Sequence, residues 1–99
     1  MAGMQVAELD QQMRRQLNLP NDVEGLVITD VESGSAAERA GLQTGDVIEE
    51  VNRQPVHSLR DATSQLRGKT GSVLMRAWSN GASHYVALET GSQPSTKER

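Results

Sequence analysis

The dipeptide Asn80-Gly81 constrains this chain more than any other pair of residues. Asn-Gly suits a two-residue hairpin loop, because both central positions of that turn need positive φ. The residues on either side alternate in character, as two antiparallel strands do. With a two-residue loop Ser79 faces Ala82, and the register follows. Ala77/His84, Met75/Val86 and Val73/Leu88 share one face; Trp78/Ser83, Arg76/Tyr85 and Leu74/Ala87 share the other. The first face is mostly aliphatic and is the expected core side, with His84 a partly buried core histidine. On the second face Arg76 is expected to lie across the Tyr85 ring. A lone hairpin is marginal in water, so the rest of the chain must cover its apolar face.

The preceding residues supply those partners. Met4 and Val6 alternate as a short strand does. Asp10 then caps a helix with Leu9, Met13 and Leu17 on one face, which Asn18 and Pro20 end. Residues 25–31 (Gly-Leu-Val-Ile-Thr-Asp-Val) read as a strand with little solvent on either face. Ser35 and Glu38 have capping-box spacing for a short helix, and Gly41-Leu42 suits its C-terminal stop. Gly45-Asp46 is a turn before the strand Val47-Ile48-Glu49-Glu50-Val51, and Asn52-Arg53-Gln54-Pro55 turns again. Ser58 opens the main helix with Asp61 three residues on. Leu59, Ala62, Thr63 and Leu66 follow at i, i+3, i+4 and i+7, and Gly68 closes it. Residues 91–99 have no apolar side chain except Pro94 and read as a flexible polar tail. The expectation is an α+β domain over residues 1–90, of about five strands, one main helix and shorter helical pieces.

Composition removes several functions. Ninety-nine residues allow one small domain, whose aliphatic core leaves no room for a large catalytic cleft. Ten basic residues against thirteen acidic ones, scattered along the chain, supply no basic stripe for nucleic acid. No run approaches the apolar length of a membrane-spanning helix. The absence of Cys removes disulfides, thiolate metal sites and thiol nucleophiles together.

No constellation for chemistry converges in the sequence. In Ser33-Gly34-Ser35 the last serine is occupied as a helix cap, so no nucleophilic triad is expected. Two histidines 27 positions apart, His57 and His84, have no metal-ligand spacing, and no metal or cofactor is expected. His57 reads as a solvated loop residue near the main helix. Glu49 and Glu50 are neighbours on a strand and are expected on opposite faces, one solvated and one in a salt link. Residues 41–46 lack the Lys-Ser/Thr ending of a phosphate loop. Binding by shape remains. A short strand beside Gly3 and the apolar stripe of the Ser58 helix suggest a groove that takes an extended chain by edge pairing. Gly3 lets backbone N–H groups cluster near a carboxylate. Such a stripe is commonly pure core, and its spacing does not divide core from groove.

The run Gly34-Ser35-Ala36-Ala37, Ala40-Gly41-Leu42, Gly45-Asp46-Val47-Ile48, Val51-Asn52 and Pro55-Val56 resembles the bacterial PDZ signature. Leu17-Asn18-Leu19-Pro20 followed by Gly25-Leu26-Val27-Ile28 looks like PDZ domains of HtrA/Do-type serine proteases, whose usual Leu-Gly-Leu-Pro has Asn18 here. The resemblance covers about Gly3 to Leu88. It implies a PDZ-like, partly open barrel or sandwich that binds C-terminal or extended peptides of unfolded proteins by strand addition. By position, the binding residues are Gly3, Met4, Gln5, Val6 and Ala7 on the loop and strand, and Leu59, Ala62, Thr63 and Leu66 on the helix. Ala2 stands where the family usually has a larger apolar residue. Met4, Val6 and Leu66 are expected to line the pocket for an apolar final side chain. The resemblance further implies a longer parent protease that holds the catalytic residues, a periplasmic or cell-envelope location, and contacts with other domains or subunits. The chain reads as one module of that parent, the second of two. The alternatives are an inter-subunit assembly contact, or a PDZ domain of another protease or of a secretion component.

Overall fold

The structure, a computed structural model, describes residues 3–66 and 71–89. The expected helix stop at Gly68, the tail and Ala2 lie outside these residues. Six strands and three helices follow in the order β1 (Met4–Glu8), α1 (Gln11–Leu17), β2 (Leu26–Val31), α2 (Ala36–Arg39), β3 (Val47–Val51), β4 (Gln54–Pro55), α3 (Leu59–Leu66), β5 (Ser72–Ser79) and β6 (Ala82–Glu89). All pairings are antiparallel in one open sheet ordered β1-β2-β3-β5-β6, with the two-residue β4 added to β3. This is the α+β, PDZ-like arrangement anticipated, with β4 as the sixth strand.

The β5–β6 register is the expected one at every pair from Ser72↔Glu89 to Ser79↔Ala82. Asn80 and Gly81 both take positive φ, as the turn requires. Val73, Met75, Ala77 and Leu88 are fully buried on the apolar face. His84 corrects the sequence reading: it is exposed. β6 is the outer strand of the sheet, so Ala77 in β5 is fully buried while His84 opposite it is open, and burial along β6 begins only at Val86 and is complete at Leu88.

The helix caps carry a shared device. Ser35 Oγ accepts from Glu38 N–H (3.2 Å), and the Glu38 carboxylate reaches one residue further back, accepting from Gly34 N–H (2.7 Å). At α3, Ser58 Oγ accepts from Asp61 N–H (3.1 Å) and Asp61 Oδ2 accepts from His57 N–H (2.9 Å). Each pair satisfies donors that a helix start leaves open. At the far end of α2, Leu42 N–H donates to Ala37 O and Gly41 N–H to Glu38 O, the paired bonds of a Schellman stop. Asp10 caps α1 by accepting from Met13 N–H (2.8 Å), and Asn18 ends it in the left-handed region.

Two strands depart from their expected exposure. β2 is buried only at Leu26, Val27 and Ile28; Thr29 and Asp30 are exposed, because β3 pairs with the first part of β2 alone. In β3 the pairing with β5 steps from Ile48↔Ala77 to Glu50↔Arg76, leaving Glu49 as the extra residue of a bulge. The bulge abolishes the alternation that placed Glu49 and Glu50 on opposite faces. Both carboxylates face the same guanidinium: Arg76 Nε lies 3.4 Å from Glu49 Oε1 and Nη1 lies 3.6 Å from Glu50 Oε2. Ser83 Oγ also donates to Glu49 (2.6 Å), and Tyr85 OH to Glu50 (3.4 Å). Arg76 is therefore paired with carboxylates, and the tyrosine beside it acts through its hydroxyl.

The candidate peptide groove

β1 is the edge of the sheet, and α3 packs against it. The peptide groups of β1 have a defined orientation. Gln5 O accepts from the Thr29 hydroxyl (3.2 Å) and so points toward β2. A trans peptide sets C=O and the following N–H in opposite directions, so Val6 N–H points away from the sheet. Ile28, opposite Val6, spends its own groups on the other side: its N–H donates to Asp46 O and its carbonyl accepts from Gly45 N–H, both at 2.8 Å. Val6 and Ile28 are thus a non-hydrogen-bonded pair, and Val6 presents both backbone groups on the outer edge. A strand edge of this kind templates a further strand.

The side chains of the two walls divide between core and groove. On α3, Ala62 is fully buried and Leu66 is half-buried against the core, whereas Leu59, at 46% exposure, and Thr63 are open. Ala62 and Leu66 therefore anchor the helix, and Leu59 and Thr63, one turn apart, face outward from it. On β1, Met4 is buried in the core and Val6 and Ala7 are half-buried, while Gln5 is exposed. Gly3 begins the strand with φ +87°, its carbonyl accepting from Glu32 N–H (2.7 Å). A Cβ at Gly3 would overlap the Ser35 side chain, so the residue that starts β1 is held tightly against the start of α2.

One groove residue escapes sequence reasoning. Glu8, on the same strand face as Met4 and Val6, accepts from Leu59 N–H through Oε2 (3.1 Å), tying the end of β1 to the first turn of α3. The two residues are 51 positions apart, and nothing local in either segment announces the bond.

The start of α3 is also sensitive to pH. The His57 N–H bond holds the Asp61 carboxyl below the usual aspartate range; burial opposes this, and the Ser58 bonds and the charge of His57 add to it. A depressed folded pKa contributes stability that is present above the unfolded value, near 4, and lost as pH falls through the folded one. Asp61→Asn should therefore be less stable than the parent at pH 7. The gap should narrow as the pH is lowered below about 4. Urea unfolding at pH 7 and at pH 3 checks this; an unchanged gap would refute the assignment.

A separate cleft of about 510 Å³ lies between the Pro20–Glu24 loop and the turn end of the hairpin, lined by Glu49, Glu50, Arg76 and Trp78 among others. It shares no residue with the groove. His57, expected near the helix groove, turns its imidazole to Glu24 there (3.5 Å). Among the described residues no group of His, Asp and Glu is placed to hold a metal ion, and no helix is long and apolar enough to cross a membrane.

One open antiparallel sheet with an edge strand beside its longest helix defines a small α+β domain of the kind that carries an extended-chain groove. The family model described as "PDZ domain" matches residues 27–77. A probable periplasmic DegP-like serine endoprotease of Rhizobium meliloti (strain 1021) is 31% identical over 97 residues, covering 94% of this chain and 19% of that protein. Its counterpart in Pseudomonas fulva (strain 12-X) is 35% identical over 89 residues, covering 88% of this chain and 18% of that protein. Among solved structures, the HtrA-type protease AlgW with a decapeptide superimposes with a TM-score of 0.81 at 26% identity, over 97% of this chain and 30% of that one. The HtrA3 PDZ domain bound to a phage-derived ligand, FGRWV, shares the fold with a TM-score of 0.75 at 17% identity, over 90% of this chain and 82% of that one. The chain belongs to the PDZ domain family, and it matches PDZ domains of DegP/HtrA-type serine proteases. It spans about a fifth of the length of these curated relatives.

Proposed function

We propose that this domain is the peptide-binding module of a periplasmic DegP/HtrA-type serine endoprotease, and that catalysis belongs to residues elsewhere in that longer protein. The outward-facing N–H and C=O of Val6, between a sheet edge and the open side of α3, carry the reading. A peptide enters as an antiparallel strand against Gly3, Met4, Gln5, Val6 and Ala7, with α3 as the opposite wall: Leu59 and Thr63 are its open side chains, and Ala62 and Leu66 hold it against the core. Its terminal carboxylate lies at the Gly3 turn, where left-handed backbone clusters N–H groups. Its last side chain enters between the half-buried Val6 and Leu66, with the core residue Met4 behind them, and this aliphatic surrounding selects an apolar residue. The peptides carried by AlgW and the HtrA3 PDZ domain support this use of the fold.

The test is a titration with a peptide of about ten residues ending in Val, as free acid and as C-terminal amide. A charge-assisted hydrogen bond is worth about 1.5–3 kcal/mol, so the amide should bind about 10- to 100-fold more weakly. Amide shifts near residues 3–8 and Leu66 should accompany binding of the acid. Equal affinity for the two forms would refute the carboxylate site.

A further inference from the structure

Glu8 has a second role open to it beyond holding the first turn of α3. Its Oε2 accepts from Leu59 N–H, and among the described residues no cation pairs with the carboxylate. Arg60, the basic residue of α3, is exposed and makes no ion pair with it. The carboxylate therefore has no cationic side-chain partner among the described residues, and it stands on the face of β1 that looks into the groove.

The register of an added strand fixes what this charge meets. Val6 turns both backbone groups outward, so a peptide residue opposite it exchanges two hydrogen bonds and points its side chain to the same face as that of Val6. With the period of two along a strand, Glu8 is the next such position, and the peptide, running antiparallel, places there the residue two nearer its N-terminus. If the final residue lies opposite Met4, beside the Gly3 turn, the third residue from the end faces Val6 and the fifth faces Glu8. We infer that Glu8 is a specificity-determining residue that selects peptides carrying an Arg or Lys side chain at the fifth position from the C-terminus. This rests on the strand-addition reading above. A directly opposed pair of unlike charges gains a modest amount, and like charges lose as much.

The effect separates from the structural role by substitution. Glu8→Gln removes the charge while its amide oxygen still accepts from Leu59 N–H. Three peptides ending in Val, with Arg, Ala or Glu at the fifth position from the end, are titrated against the parent domain, Glu8→Gln and Glu8→Lys at low salt. The parent should bind the Arg peptide about two- to fivefold more tightly than the Ala peptide and the Glu peptide more weakly. Glu8→Gln should bind all three equally, and Glu8→Lys should reverse the order. Equal binding of the three peptides by the parent, or a preference that survives Glu8→Gln, overturns the role of Glu8 and leaves strand addition standing. Failure of the parent to bind any of them overturns both.

Discussion

Gly25→Ala should cost this domain about 3–5 kcal/mol and lower its Tm by roughly 15–30 °C. Gly25 immediately precedes β2, with φ +151°, and a Cβ there would overlap the carbonyl oxygen of Ile48. The Ile48 carbonyl carbon and the Glu49 Cα lie only 2.8 and 3.1 Å from the same point. These are backbone atoms at the start of the β3 bulge, so no rotamer change relieves the overlap. Ile48 is itself fully buried and paired on both sides, to Leu26 in β2 and Ala77 in β5. Relief requires β2 and β3 to separate, which opens the core. A positive-φ penalty of about 1–3 kcal/mol then adds to an overpacking term of similar size. Against a total stability of about 5–15 kcal/mol, the loss is a large fraction. Gly34→Ala is the control. Gly34 has φ +78°, but a Cβ there meets nothing within 4 Å, so only the backbone penalty applies. Urea or thermal unfolding of the two variants decides the matter: a Gly25→Ala loss no larger than that of Gly34→Ala would show that the Ile48 contact yields easily.

Local chemistry was readable from the chain wherever one short segment determines its own geometry. The hairpin register follows from Asn80-Gly81 and the period of two. The starts of α2 and α3 follow from Ser35 with Glu38 and Ser58 with Asp61, although the carboxylates bond one residue further back than a capping box predicts. The division of α3 was not legible, because Leu59, Ala62, Thr63 and Leu66 have the same helical spacing whether they face core or solvent; only the position of β1 decides. The common partner of Glu49 and Glu50 was hidden for a related reason. A bulge in β3 exists only relative to β5, some 25 residues away, and no residue type in β3 marks it. The Glu8 bond to Leu59 and the approach of Gly3 to Ser35 are likewise products of strand pairing between distant segments. The groove is built mostly from such non-local contacts, which is why the sequence reached it through a family resemblance and the packing reveals how it works.

That packing makes a sharp demand on any bound peptide. If the peptide adds as a strand to β1, methylation of its backbone nitrogens should weaken binding with a period of two. Val6 offers one outward N–H and one outward C=O to a single opposed residue, so that residue directs both of its own groups inward. Its two neighbours turn theirs to solvent. With the final residue opposite Met4, N-methylation at the third position from the end removes the donor to Val6 O and sets a methyl group against that carbonyl. The lost bond is worth about 0.5–1.5 kcal/mol, and the stranded acceptor costs about 1–3 kcal/mol more. Binding should therefore weaken about 10- to 100-fold or beyond. N-methylation at the second or fourth position alters a group that faces water, and affinity should fall by less than about threefold. The protein is unchanged throughout, so loss of folding cannot imitate the result. A docking mode that relies on side chains alone gives no alternation, and a peptide shifted by one residue gives alternation with the sensitive positions exchanged. The phase of the pattern thus reports the register that Glu8 needs if it is to read the fifth residue from the end.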